Sequence, residues 1–208
     1  SRLMSGFWTS VQLASTVTIL SLLAGIPAAF ALTRYHFLGR DALMSLFTAP
    51  LLLPSIVLGL AILLVYVQLG LLGTYTGLVI AHLIVTTPYA IRIVATSFGG
   101  IAPALEEAAA TLGAKPWIVF MQVTLPLMMP GVVASAALCF LVSFDEVVLS
   151  LFVTGPSATT LPVVLFNYAE SHADPMIAAV STLLILVTFS LIVMIERTVG
   201  LSKAMGPG

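Results

Sequence analysis

Charge is what this chain has least of. Only 7% of its 208 residues are Asp, Glu, Lys or Arg, and 60% are hydrophobic. An ordinary soluble domain carries about a quarter charged residues. At a mean hydropathy of +1.19 the apolar side chains cannot all enter one core beneath a polar surface. Lipid is therefore the expected solvent. The net charge of -1 says nothing about nucleic acid, but seven basic residues are too few for a phosphate-binding patch, so no nucleic-acid partner is expected. The single cysteine, Cys139, excludes a disulfide framework. No Gly-x-x-x-x-Gly-Lys occurs, so the chain has no ATP-cradling loop of its own; Gly70 and Gly73 mark a turn instead. The first residues also lack the basic, apolar and small-residue zones of a cleavable signal.

What is present is a series of apolar runs. A helix needs about 20 apolar residues to cross a bilayer. Five runs meet that length: Ser10 to Leu32, Leu43 to Val67, Thr76 to Ser97, Leu127 to Phe152 and Met176 to Ile195. None shows the period-two alternation of a membrane barrel, so the fold expected is all-α and transmembrane. Pro27, Pro50, Pro54 and Pro88 fall inside these runs, where neighbouring helices can satisfy freed carbonyls. Pro50 and Pro54 are expected to kink the second span. Tyr66 and Gln68 read as interfacial anchors, and Trp8 and Trp117 as interface residues.

Lysine and arginine set the orientation. Arg34, Arg40, Arg92, Lys115, Arg197 and Lys203 all fall on one side of an alternating path, which is therefore read as cytoplasmic. The connections Gln68 to Tyr75 and Thr154 to Pro175 contain no lysine or arginine and fall outside; only Arg2 dissents. Five spans with a cytoplasmic end place Ser1 on the outer face. A sixth, N-terminal span is accordingly expected upstream.

A polar island, 99–126, interrupts the apolar pattern and contains its own helix punctuation. Pro103 suits a first helical position, and Glu106 and Glu107 follow where the helix dipole favours acids. Gly113 suits a left-handed stop, and Pro116 can open a second short helix, Trp117 to Val123. The pieces Glu107, Ala108, Ala109, Gly113, Val123, Leu125 and Pro126 resemble the EAA loop of ABC importer permeases, with valine where isoleucine is usual. An ordinary surface hairpin is the plain alternative.

Beyond the loop, Ser143-Phe144-Asp145-Glu146-Val147-Val148-Leu149-Ser150, Phe152-Val153-Thr154-Gly155-Pro156 and Leu161-Pro162 are similar to the second permease subunit of spermidine/putrescine-type importers. The acidic pair there is often two aspartates; here it is Asp145-Glu146. This resemblance implies a type I ABC importer permease core, a single domain over 1–208, in a bacterial inner membrane. It implies as partners a second related permease, two ATPase subunits holding ATP and Mg, and a periplasmic solute-binding protein. No cofactor is expected on this chain. The loop would be the coupling element: Glu106 or Glu107 offers charge to the ATPase, Ala108 and Ala109 keep the helix slim, Gly113 turns the chain, and Leu125-Pro126 fix its return to the membrane.

Asp145 and Glu146 lie deep in the fourth run, where a charge costs about 2.5–3.5 kcal/mol on insertion scales. They should face protein or water, as pathway groups or as a structural cap. With Ser143 and Phe144 they are the candidate solute path, Asp145 foremost. His82 and Tyr89, seven apart on the third span, share a face. His82 either lines the path or, as is commoner, hydrogen-bonds a neighbouring helix. Glu170, His172 and Asp174 alternate in the outer connection, a pattern more often solvated than metal-binding; no metal site is assigned. Three rivals remain. An intramembrane hydrolase would need a positioned base beside its nucleophile. A proton-coupled secondary transporter would use Asp145 or Glu146. A passive scaffold would need neither.

Overall fold

The computed structural model describes residues 2–155, 158–171, 179–186, 188–190 and 193. The described residues are helical almost throughout. α1 runs Arg2–Arg34, α2 Arg40–Thr48, α3 Ser55–Leu69, α4 Tyr75–Gly99, α5 Pro103–Thr111, α6 Pro116–Val119, α7 Leu125–Asp145, α8 Val148–Val153 and α9 Leu161–Ser171. A 3-10 turn, Ala49–Leu52, follows α2, and a π turn, Phe120–Thr124, joins α6 to α7.

Among the described residues three helices are long and apolar enough to cross a membrane, Arg2–Arg34, Tyr75–Gly99 and Pro116–Asp145, and a bent pair would make a fourth span. The second predicted span is not a kinked helix but a broken one. Arg40–Leu52 and Ser55–Leu69 meet at 103°. Leu53, forced from the helical region by Pro54, is extended at φ -87°, ψ 137°, and Pro54 has no N–H to continue a ladder. The 15 residues of α3 are about 22 Å long, shorter than the ~30 Å hydrocarbon core. The fourth predicted span also stops early, at Asp145, where Glu146 turns extended. The fifth, Met176 to Ile195, lies partly outside the described residues; 179–186 and 188–190 are helical. The outer connection after Thr154 is not all loop, because it contains α9.

α1, α4 and α7 pack on one another, α3 packs on α8, and α9 lies against α1. Small residues permit the close approach that drives association in lipid. A Cβ on Gly25 would lie 2.8 Å from Ala90 Cβ, one on Gly59 2.5 Å from Phe152 Cδ2. Two apolar clusters fill the interior. Leu13, Val17, Ile62, Tyr66, Leu78, Leu149 and Val153 form one. Ala29, Val94, Phe98, Ile101 and Met128 form the other, towards the end of the bundle that holds the polar island. Tyr66, expected at the interface, is instead buried with its hydroxyl donating to Gly77 O at 2.9 Å. Trp8 and Trp117 are exposed.

A polar elbow and an acidic helix break as candidate functional sites

The elbow begins where Ala102 is extended and Pro103 takes the first position of α5, needing no N–H there. It ends at Gly113, whose φ of +85° is a left-handed conformation that suits glycine, as the sequence requires. Gly113 N donates to Ala110 O at 2.9 Å and Ala114 N to Ala109 O at 3.2 Å, which satisfies the last carbonyls of the helix. Pro116 opens α6. The sequence reading goes astray beyond this point. Rather than ending before Pro126, the second helix runs through the π turn into α7 without a break. A proline ring would clash with the carbonyl four residues back in a regular helix. The wider π turn immediately before Leu125 and Pro126 accommodates it.

The two glutamates have different surroundings. Glu106 Oε2 lies 3.2 Å from Arg34 Nε, with the side chains 22% and 17% exposed. Its Oε1 accepts a hydrogen bond from Thr124 Oγ1 at 2.7 Å. The Arg34 guanidinium also lies over the Phe98 ring at 4.6 Å and reaches Ile101 O at 3.4 Å. Glu107 is exposed, as is Ala108, while Ala109 is half-buried. No α5 residue is buried, and Leu105, Leu112 and Trp117 stand out into the surroundings. Arg34 is the residue that sequence reasoning left without a role in the elbow. The only signal was a cation closing the first span on the side assigned to the loop.

The acidic pair is not deep in a helix. Asp145 is the last residue of α7 and is exposed. Glu146, just before the Val147 N-cap, holds the first turn of α8: its Oε1 accepts from Leu149 N at 2.9 Å and its carbonyl from Ser150 Oγ at 2.6 Å. The fourth and third spans meet at His82. Its Nδ1 lies 2.9 Å from Ser143 Oγ and its Nε2 3.0 Å from Ser150 Oγ. Since Ser150 gives its only proton to Glu146 O, Nε2 must donate to Ser150, and Nδ1 accepts from Ser143. His82 therefore fastens α4 to α7 and α8 from the interior, 1% exposed, and does not face open space. Phe144 stacks on Phe140 at 5.9 Å and meets Phe7 edge-on. Tyr89 is half-buried on α4 and makes no part of this network. Among the described residues no three His, Cys, Asp or Glu side chains group as metal ligands. Glu170 is exposed; His172 and Asp174 lie outside the described residues.

A bundle of long apolar helices with a projecting polar elbow is the architecture of a multi-pass membrane protein. Residues 21–199 match the family of binding-protein-dependent transport system inner membrane components, and the chain belongs to it. It is 32% identical over 194 residues to the putrescine transport system permease protein PotI of Escherichia coli (strain K12), covering 88% of this chain and 68% of that one. The spermidine/putrescine transport system permease protein PotC of Haemophilus influenzae is 30% identical over 185 residues, covering 89% and 72%. A putative 2-aminoethylphosphonate transport system permease protein, PhnV of Salmonella paratyphi A, is 31% identical over 199 residues, covering 95% and 74%. Among solved structures, an inward-facing form of the MetNI methionine ABC transporter superposes with a TM-score of 0.77 at 20% identity over 95% of this chain and 94% of that one. A bacterial ABC transporter that imports alginate gives 0.70 at 16% identity, over 92% and 78%. The chain is thus the permease subunit of an ABC importer, which sets aside the proton-coupled, hydrolase and scaffold readings.

Proposed function

We infer that this chain is one of two related permeases in a bacterial inner-membrane importer for polyamines or similar small amines. A periplasmic binding protein delivers the solute, and two ATPase subunits, holding ATP and Mg, supply the work. The elbow at 103–113 docks on an ATPase subunit from the cytoplasmic side. Its movement on nucleotide-driven closure opens and shuts the path by alternating access. The observation that carries this reading is the exposed, slim face of α5: Glu107 and Ala108 point away from the bundle while Glu106 is held inside it. That division leaves Glu107 free to meet a cation of the ATPase. The amine class is supported by the putrescine and spermidine of the relatives' transport systems and by Asp145, an exposed carboxylate at the α7 break that can attract a cation.

The test is Glu107→Lys in the complete transporter. The reading expects the chain to insert normally, the ATPase to stop co-purifying, and uptake to cease. Undiminished co-purification and uptake would refute it.

A further inference from the structure

α5 is joined to its neighbours through short glycine-bearing segments. Gly99 and Gly100 precede it and Gly113 follows; a Cβ built on Gly99 or Gly113 meets nothing within 4 Å. The helix between them buries none of its own residues, while Ile101 in the segment before it is buried in the apolar cluster beside Phe98. Left to those joints, a push on α5 would swivel it rather than move the membrane helices.

The contacts that α5 makes through its own side chains to the bundle ends are polar at Glu106. Glu106 is the half-buried member of the α5 acids, and each of its oxygens has a different anchor. Oε2 pairs with Arg34, the last residue of α1. Oε1 takes the hydroxyl of Thr124, 1% exposed, at the end of the π turn that leads into α7. Arg34 in turn lies on Phe98, near the end of α4, and reaches Ile101 O beyond it. Phe30 braces the group from behind, edge-on to Phe98 at 5.1 Å and to Phe120 at 5.6 Å. One carboxylate therefore ties the elbow to the ends of α1, α4 and α7, the three helices that pack on one another.

We propose that the Arg34–Glu106–Thr124 clamp transmits elbow movement to the membrane helices, with Arg34 and Glu106 as positioning residues for transport rather than docking residues for the ATPase. The inference rests on the coupling reading above. Docking belongs to the outward Glu107 face and transmission to the inward Glu106 face. Loss of the clamp leaves an ATPase that still binds and hydrolyses while its stroke is absorbed at the glycine joints.

The experiment uses the full transporter with its binding protein in proteoliposomes. It measures ATPase co-purification, ATP hydrolysis, and solute moved per ATP consumed. For Glu106→Gln and Arg34→Gln, co-purification and hydrolysis stay at the parental level, and solute per ATP falls about tenfold or more. The double variant is no worse than either single one, since both break one clamp. Thr124→Val, which removes only a hydroxyl, shows a smaller loss of the same kind and serves if a charge variant inserts poorly. Parental solute per ATP in Glu106→Gln would overturn the proposal, as would losses that multiply in the double variant. Loss of co-purification in Glu106→Gln would also overturn it, by making Glu106 a docking residue. If the parental chain fails to retain the ATPase, the coupling reading itself fails, which is a separate outcome.

Discussion

Replacing His82 with leucine tests how the third span is fixed to the α7–α8 break. The change keeps a side chain of similar bulk, so little of its effect comes from a cavity. What it removes is two hydrogen bonds, to Ser143 at 2.9 Å and Ser150 at 3.0 Å. Interhelix hydrogen bonds in membrane proteins average about 0.6 kcal/mol and reach about 1.7. Two of them set a loss of about 1–3 kcal/mol. The upper half of that range is expected, because Ser143, 3% exposed, has no water to turn to. Ser150 keeps its bond to Glu146 O, so the two serines should respond unequally. An unfolding titration in mixed micelles, with His82→Leu, Ser143→Ala and the double variant, isolates the coupling. The expected coupling with Ser143 is about 1 kcal/mol, against ~0.3 kcal/mol for sites that act independently. Additivity of the two substitutions, or a His82→Leu chain as stable as the parent, would refute the fastening role.

Two further predictions concern the ends of the bundle. Gly155→Ala should destabilise the chain by about 1–3 kcal/mol, since the new Cβ would lie 2.6 Å from Gly73 Cα, which is backbone and cannot rotate away. Gly39→Ala, at φ +90° with nothing within 4 Å, should cost only the left-handed conformation, about 1–2 kcal/mol; thermal melting compares the two. Glu146→Ala should lower stability by about 1 kcal/mol through the lost hydrogen bond to the first turn of α8, whereas Asp145→Asn should leave melting unchanged and weaken uptake of a cationic solute. Equal effects of the two on melting would contradict the separate roles.

The elbow was legible because its signals are local. Pro103, Gly113 and Pro116 act on their own backbone, and each stands where the spacing puts it. The breaks at Leu53 and Glu146 were harder to read, because apolar composition continues across them while the backbone does not. Hydropathy measures what a segment dissolves in, not whether its ladder of hydrogen bonds is intact. Proline gave fair warning at Pro54, but at Pro126 the same residue is absorbed by a π turn, a device that leaves no local mark in composition. Glu106 and Glu107 are adjacent and alike in sequence. Only the fold, by bringing Arg34 from 72 positions earlier to one of them, makes one a strut and the other a free face. His82 likewise had two readings, and the distant Ser143 and Ser150 decide in favour of a fastening within the bundle.

The central claim is that the outward face of α5 meets an ATPase in the cytoplasm. Ala108→Cys tests it most directly, since the native Cys139 is buried and stays silent. In the assembled transporter a short thiol cross-linker should join position 108 to the ATPase subunit, and a membrane-impermeant maleimide should label it only from the cytoplasmic side. Labelling from the periplasmic side, or a cross-link to the binding protein instead, would contradict the account.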